Sequence, residues 1–461
     1  MTYMKECGER SGTEQAEALH EHKETAVNKR AVCAAALCAC LLSARAFAAE
    51  VGGGQQRRGD DLTLKIAVIG PGDALYLWWG HIALVIEDAA TGNADLYDYG
   101  VFSFEDEHFF VNFALGRLWY KCDVSPADRN LDQYIRANRD VTLYTLDLSP
   151  QKKEAVKRFA ERNALPENRK YLYHHFRDNC ATRIRDIIDW ATEGQFKARV
   201  GDLPGRHTFR QHIRRYMLRS PFFDWFLCFL MGYDIDKPLT VWDEMFLPSE
   251  IGRRIADFHY TDESGAERPL VSATERRNAA INRPPVPDAP NRQWARGLAA
   301  GAALAVLLAV LSAARKKRPG RALWGAAHSL LGLSFGVAGA VLLFLMFFTN
   351  HDYTYRNSNV LFVNPLLLLA VPWGLRAARE REREGRRFSA DARLRALWTY
   401  VFCAGVAAAL LNLSPQCSQQ NQATLALLLP PAFVSSFIPA RVRAAFQKKE
   451  RARRAGRSPS G

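Results

Sequence analysis

The sequence lacks a basic stripe interleaved with aromatic residues, which is the usual footprint of RNA or DNA binding. The chain has 461 residues and a net charge of +14, but the excess comes from three short basic segments in its C-terminal part. The region before residue 296 is roughly neutral, so nucleic acid is not an expected partner. The sequence also lacks a visible internal repeat. Cysteine is scarce, with 9 residues in all, so the thiols can be considered one by one.

Long apolar runs are confined to the C-terminal part. Five of them are near the length needed to cross a bilayer, at 297–314, 323–348, 360–375, 397–413 and 423–439. The loops that connect these runs alternate in charge, and by the positive-inside rule the basic loops are cytoplasmic. This orientation places residue 296 and everything before it outside the cytoplasm. We therefore predict an inner-membrane protein with five spans over 297–439 and a basic cytoplasmic tail over 440–461.

The N-terminal segment 1–49 is typical of an extension followed by a secretory signal peptide. Residues 31–49 are apolar, follow the basic "NKR" and end in the small-residue cleavage site "AFA". The signal agrees with the predicted orientation. A lipobox at Cys40 is the alternative, and the hydrophilic first 30 residues favour a start site placed too far upstream.

Between residues 62 and 282 the sequence predicts an exported α+β domain. Runs rich in β-branched residues and bounded by Gly, Pro or Asp predict strands at 62–70, 81–88, 94–104 and 141–149. The next segment, 150–165, has Pro in its first turn and apolar residues at helical spacing, which predicts a helix. The aromatic segment 221–251 is either domain packing or a surface against lipid. A Pro-rich linker, 283–296, leads into the first span.

The motif "RDNCATRIRDIIDW" places Cys180 at the start of an amphipathic helix, with Asp178 or Asn179 as the N-cap. In the first turn of a helix the unpaired N–H groups and the positive end of the macrodipole stabilise a thiolate. Cys180 is therefore a candidate nucleophile. The alternative is an ordinary packing residue.

The exported domain contains three cysteines, Cys122, Cys180 and Cys228. In an oxidising compartment two of the three can form a disulfide, which leaves the third as a free thiol. A bridge that includes Cys180 would exclude catalysis through it.

His81 begins the strand "HIALVIED" directly after Gly80, which leaves room for a substrate or another chain. A nucleophilic thiol needs such a base. Asp98, in the following strand, is predicted to face His81 across the hairpin and to orient its imidazole, which gives a Cys–His–Asp arrangement. The alternative for His81 is a half-buried histidine bonded to a backbone carbonyl.

Several motifs occur together and in a fixed order: "WWGHIALVIED", "YDYGVFSFED", "FALGRLWY", "FRDNCATRIRDIID" and "DKPLTVWDEMFLPSEI". With them, residues 62 to about 250 resemble the Lnb N-terminal periplasmic domain family, which joins an exported thiol-enzyme domain to a C-terminal bundle of spans. More weakly, the domain is similar to the circularly permuted papain-like group that contains lecithin:retinol acyltransferase. The resemblance implies an α+β, permuted papain-like exported domain followed by a five-span helical bundle.

The family resemblance implies a lipoprotein N-acyltransferase without a cofactor. Cys180 would take an acyl chain from a diacylglyceryl lipoprotein, or another membrane lipid, and pass it to an N-terminal amine. One alternative is a papain-like amidase or peptidase that uses Cys180 and His81 on cell-envelope amides. The other is a non-catalytic envelope protein that binds or assembles a partner.

Three further residues are candidates for substrate or oxyanion contacts. Asn179 either donates to the oxyanion or only caps the helix. Arg183 meets a lipid phosphate or carboxylate, or pairs on the helix surface with Asp186 or Asp189. Tyr97 shapes either the site or the sheet.

Two polar residues, His351 and Asp352, lie at the outer mouth of a span, where they face the active site or occupy the headgroup layer. The neighbouring pair His174 and His175 has no carboxylate–His spacing around it, so no metal site is expected.

Overall fold

The computed structural model describes residues 59–437 except 106, 316 and 380–388. The strands are β1 (Leu62–Ile69), β2 (His81–Asp88), β3 (Asn93–Val101), β4 (Trp119–Pro126), β5 (Val141–Leu146), β6 (Lys170–Leu172), β7 (His259–Thr261), β8 (Glu267–Pro269) and β9 (Val271–Asn278). The helices before residue 292 are α1 (Phe109–Ala114), α2 (Ala127–Arg136), α3 (Pro150–Ala164), α4 (Cys180–Ala191), α5 (Gln195–Val200), α6 (Phe209–Tyr216), α7 (Pro221–Leu230), α8 (Val241–Glu244) and α9 (Pro248–Ile255). The predicted signal, with its alternative lipobox, and the predicted basic tail lie outside the described residues.

Seven strands form one antiparallel sheet in the order β6-β4-β3-β2-β1-β5-β9. Successive side chains of β2 point to opposite faces of the sheet, and both faces are buried. Ile82 and Leu84 pack in the cluster that contains Ile184 of α4, whereas Ala83 packs on the opposite face with Leu131 of α2. Each fully buried Leu or Ile side chain contributes about 1.5–3 kcal/mol. The two clusters therefore fix α2 and α4 on opposite faces of the strand that begins with His81.

The predicted strands at 62–70, 81–88, 94–104 and 141–149 are confirmed as β1, β2, β3 and β5. The predicted helix is confirmed as α3, with Ser149 as its N-cap and Pro150 at its first position. Strands β4, β6 and β9 complete the sheet on its two sides, and none of them was predicted from the sequence. The expected α+β class is thus correct, and the sheet is larger than expected.

The C-terminal part is helical and apolar. Its helices are α10 (Gln293–Ala314), α11 (Arg318–Phe348), α12 (Ala370–Arg379), α13 (Ala390–Leu411) and α14 (Gln422–Phe437). Four segments of the described chain are long and apolar enough to cross a membrane: α10, α11, Ser358–Arg379 and α13. The fifth expected span coincides with the shorter helix α14, and its predicted end at residue 439 lies outside the described residues.

Glycines bring α11 close to its neighbours. A Cβ at Gly332 would lie 2.4 Å from the Cβ of Ala370, and one at Gly339 would lie 2.3 Å from the Cα of Asn364. Small residues are the usual means by which membrane helices pack closely, because lipid gives no hydrophobic drive for helix association.

Helix α7 joins the two parts of the chain. Phe229 belongs to the same apolar cluster as Leu342 and Phe362 of the helical part. Its carbonyl accepts hydrogen bonds from the Nδ2 atoms of Asn357 and Asn359, at 2.8 and 3.0 Å. This end of the segment 221–251 is therefore packed between domains, as one of the two alternatives predicted.

Candidate functional site

Helix α4 begins at Cys180 because Asn179 caps it. The Asn179 side-chain oxygen accepts from the backbone N–H of Thr182 at 2.9 Å, and the Thr182 hydroxyl accepts from the backbone N–H of Asn179 at 2.8 Å. This reciprocal capping box defines the helix start. Cys180 is the first helical residue and 9% exposed. Its thiol is thus held at the positive end of a helix whose apolar face is anchored in the core.

Asn179 uses its whole amide for structure. Its Nδ2 atom donates to the carbonyls of His175 and Phe246, at 2.7 and 3.0 Å. Both amide hydrogens are therefore already bonded, which leaves the capping role and not the oxyanion role. The N–H groups of Thr182 and Arg183 are also bonded to Asn179.

The first turn of α4 still offers two donors. The first N–H groups of any helix lack intrahelical partners. Within the described part of the chain, those of Cys180 and Ala181 make no hydrogen bond to another protein group. These two backbone groups are available to an oxyanion formed at Cys180.

His81 and Asp98 form a direct pair. His81 Nε2 donates to Asp98 Oδ1 at 2.7 Å, and the two side chains are 17% and 15% exposed. In the antiparallel pairing of β2 with β3, Leu84 lies opposite Tyr97, so His81 and Asp98 are diagonal neighbours on one face of the sheet. The contact expected from the hairpin is therefore present.

The surroundings favour the protonated form of His81. Burial by itself lowers the pKa of this imidazole. The Asp98 carboxylate, assisted by Tyr134 and Cys180, outweighs burial and raises the pKa of His81 well above its usual value. Because Nε2 is bonded to Asp98, Nδ1 is the nitrogen left for proton exchange with a thiol. The imidazolium is thus the form of His81 that this arrangement favours.

Gly100 makes the approach of α4 to β3 feasible. Its φ is +91°, and a β-bulge lies between Tyr99 and Val101. A Cβ at Gly100 would lie 3.3 Å from Tyr173 Cε2 and 3.8 Å from the Cβ of Cys180. The position therefore combines a backbone conformation that disfavours other residues with contact to the thiol residue.

The three thiols of this domain are free and buried. Burial raises the pKa of Cys122 to about 12 and that of Cys228 to about 11, so both remain protonated near neutral pH. No bridge removes Cys180 from use, which was the condition that would have excluded it.

The structure corrects the expected partner of Arg183. Its guanidinium forms two bonds to the carboxylate of Asp178, at 2.5 and 2.8 Å, and lies 4.1 Å from the centroid of the Tyr171 ring. The expected pairing with Asp186 or Asp189 is therefore wrong for Arg183, because Asp178 precedes the helix and meets the arginine bidentately. The same expectation is correct for Arg185, whose Nε donates to Asp186 at 2.9 Å. Tyr97 is 4% exposed and packs in the apolar cluster on the α4 face, which favours its role in the sheet.

The outer loop of the helical part contacts the segment that precedes Cys180. Asp352 accepts from His174 Nε2 at 2.8 Å. His351 Nε2 donates to the Phe113 carbonyl at 2.8 Å, and its Nδ1 accepts from the Tyr353 hydroxyl at 2.7 Å. His351 and Asp352 thus bond to the exported domain, and their facing the active site stays a prediction.

Two residues near His81 had no signal in the sequence. The Tyr134 hydroxyl lies 3.5 Å from Asp98 Oδ2, and the Tyr134 ring centroid lies 6.1 Å from that of His81. Arg139 is 2% exposed, donates from Nε to the Gly70 carbonyl at 2.8 Å, and keeps a buried Nη2 with no acceptor. Neither residue belongs to a motif, so only the packing of α2 on the sheet reveals them.

Fold and site together define a membrane protein whose exported α+β domain presents a thiol at a helix start near a His–Asp pair. Residues 55–215 match the family model for the Lnb N-terminal periplasmic domain, and residues 292–429 match the one for the Lnb transmembrane domain. The chain belongs to the Lnb family, and its N-terminal domain is periplasmic. No curated protein and no solved structure matches the chain.

Proposed function

We propose that this protein is a membrane-anchored acyltransferase in which Cys180 carries the acyl group as a thioester. The observation that carries the proposal is the His81–Asp98 hydrogen bond of 2.7 Å, because it orients an imidazole whose pKa is raised in part by Cys180 itself. The proposed substrate is a membrane lipid, and the first candidate is a diacylglyceryl lipoprotein.

In the first half-reaction the Cys180 sulfur attacks an ester carbonyl of the donor, and His81 holds the thiol proton. The N–H groups of Cys180 and Ala181 stabilise the oxyanion. The carbon–oxygen bond then breaks, His81 gives the proton to the departing alkoxide, and a lyso product leaves. The acyl group remains on Cys180 as a thioester.

In the second half-reaction an N-terminal amine attacks the thioester carbonyl. His81 accepts a proton from the amine, the carbon–sulfur bond breaks, and the same proton neutralises the released thiolate. Asp98 keeps the imidazole in one orientation through both steps. Each half-reaction therefore restores the protonation state that the next one needs.

A lipid substrate is favoured over a cell-envelope amide by the contact between the two domains. An amidase needs only one anchor. Here the loop that follows α11 bonds directly to the segment before Cys180, through Asp352 and His174 at 2.8 Å. The site is thus tied to the outer end of a membrane helix, where lipids lie.

The test is mass spectrometry of the N-terminal lipopeptides of lipoproteins from cells that depend on this protein, with wild type compared against Cys180→Ser. Serine keeps the size of the side chain but forms no thiolate at neutral pH. We expect N-acylated lyso peptides in the wild type and none in the variant.

Cys228→Ser is the matched control, because Cys228 is another free buried thiol of the same domain. It should leave the lipopeptides as in wild type. Identical peptides in wild type and Cys180→Ser would overturn the lipoprotein substrate and make cell-envelope amides the next substrates to test. A fully active serine variant would overturn the thioester.

A further inference from the structure

An exposed aromatic surface lies on the periplasmic domain, outside the Cys180, His81 and Asp98 group. It consists of Phe102 and Phe104 after β3, and Phe109, Phe110 and Phe113 of α1. Phe110, Phe104 and Phe113 are 70%, 52% and 46% exposed, and successive rings are 5.1–6.5 Å apart. A contiguous patch of exposed aromatic rings on a protein marks an interaction surface, because burying it from water is favourable.

The aromatic surface is fixed beside the outer end of a membrane helix. The residues immediately after α11 bond to the end of α1: Asn350 N–H donates to the Leu115 carbonyl at 2.8 Å, and His351 Nε2 donates to the Phe113 carbonyl at 2.8 Å. The last residue of α11, Phe348, is itself 72% exposed. Because α11 is an apolar helix long enough to cross the membrane, its outer end lies at the bilayer surface, and α1 lies there too.

A row of rings leads from this surface toward Cys180. The Phe109 centroid is 5.7 Å from that of Phe102, and Phe102 stacks on Tyr120 at 4.9 Å. Tyr120 in turn lies 4.4 Å from Tyr173. A Cβ added at Gly100 would lie 3.3 Å from Tyr173 Cε2 and 3.8 Å from the Cβ of Cys180, so both residues border this glycine. Apolar and aromatic rings are thus continuous from the membrane surface to the thiol residue.

We propose that the aromatic surface inserts among the lipids of the outer leaflet, and that the row of rings guides a lipid acyl chain to Cys180. An acyl chain must leave the bilayer to reach a thiol in a periplasmic domain, and exposing its methylenes to water on the way costs free energy. A continuous apolar contact removes that cost. The guiding role rests on the acyltransferase function proposed above, whereas insertion among lipids does not.

Insertion is tested by placing the photo-crosslinking residue p-benzoylphenylalanine at Phe110 in the full-length protein in its membrane. Phe159 is the matched control, because it is an exposed phenylalanine of the same domain that packs against Trp190 on α4. After irradiation we expect phospholipid adducts by mass spectrometry at position 110 and none at 159. Absence of adducts at 110, or equal adducts at both positions, would overturn insertion.

The crosslinking is repeated with Cys180→Ser, which separates the two proposals. The lipid adduct at position 110 should persist, because insertion needs no thiol. Loss of the adduct in this variant would show that position 110 meets only a lipid held at Cys180, and would overturn insertion.

Guidance is tested with Phe102→Ala and a pair of acyl donors that differ only in chain length. We expect kcat/KM to fall about tenfold for the long-chain donor and to stay near wild type for the short-chain donor. An equal loss for both donors would mean that Phe102 only supports the fold, and would overturn the guiding role. A wild-type protein inactive on every donor would overturn the proposed function and guidance together, with the crosslinking result unaffected.

Discussion

Among the described residues of the periplasmic domain, the His81–Asp98 and His212–Glu244 pairs differ in what surrounds them. His81 bonds to Asp98 at 2.7 Å, and His212 bonds to Glu244 at 2.9 Å. The first pair is 17% and 15% exposed, whereas the second is 0% and 1% exposed. The two pairs have nearly the same hydrogen-bond length, so the bond by itself does not identify a reactive site.

In the second pair both imidazole nitrogens are bonded. His212 donates from Nε2 to Glu244, and its Nδ1 accepts from Arg215 at 3.0 Å. Glu244 also accepts from the backbone N–H groups of Arg206 and His207, at 2.6 and 2.8 Å. Burial raises the pKa of Glu244, but these donors outweigh it and lower the pKa to about 2.

The comparison shows that a His–carboxylate pair becomes a candidate base only where its second nitrogen is left open and a thiol lies near it. Both ring nitrogens of His212 are bonded, so the imidazole has no nitrogen free for a substrate. At His81 the carboxylate occupies one nitrogen, and Cys180 contributes to the raised pKa of the ring. The first pair therefore has an open nitrogen for the proton transfer proposed above, whereas the second has none.

Of the substitutions that test this comparison, Asp98→Asn should have the largest effect on activity. The amide no longer stabilises the imidazolium, so kcat/KM for acyl transfer should fall on the order of 10²- to 10⁴-fold. Because Asp98 raises the pKa of His81, its loss should also move the basic limb of the pH–rate profile to lower pH. Stability contributed by protonated His81 is present at low pH and is lost as the pH rises, so the variant should be destabilised mainly on the acid side of that limb. A pH–rate profile identical to wild type would remove Asp98 from the mechanism.

Glu244→Gln should act on stability and not on the pH–rate profile. Glutamine weakens the charge-assisted hydrogen bonds that Glu244 accepts from His212 and from two backbone N–H groups. This should cost about 1.5–3 kcal/mol, which urea unfolding of the detergent-solubilised protein would measure. In the wild type the pKa of Glu244 falls from its usual 4.5 to about 2, so this stability is present above pH 4.5 and is lost as the pH falls toward 2. The variant molecules that remain folded should show the same pH–rate profile as the wild type. A shifted profile at equal stability would mean that this second pair reaches the reaction.

Gly100→Ala, compared with Gly92→Ala, should show a smaller effect that is specific to the site. Both glycines have positive φ, at +91° and +72°, so alanine should cost about 1–2 kcal/mol in each case. A Cβ at Gly92 meets nothing within 4 Å, whereas one at Gly100 touches Tyr173 and Cys180. We therefore expect kcat/KM to fall about tenfold only in Gly100→Ala. Equal activity of the two folded variants would show that crowding at Gly100 does not reach the thiol.

The parts of the fold that the sequence predicted are those with a local pattern. Strand β2 alternates, and α3 has Ser149 before Pro150 at its start. In contrast, β9 is exposed along most of its length and carries the charged run "TERR". A strand at the edge of the sheet with both faces exposed to solvent needs no alternation of apolar residues. Strand β9 is held by its backbone hydrogen bonds to β5. Such a strand leaves no periodic signal to find.

The candidate site divides in the same way. The sequence by itself determined that Cys180 starts a helix and that His81 starts a strand, because caps, turns and apolar periodicity act over a few neighbouring residues. Only the tertiary structure decided that Tyr134 and Arg139 lie near His81, and that His351 bonds to the carbonyl of Phe113, 238 positions away. Contacts at such separations depend on strand register and on which helix covers which face of the sheet. Those choices are made by the packing of the whole core, so no short stretch of sequence contains them.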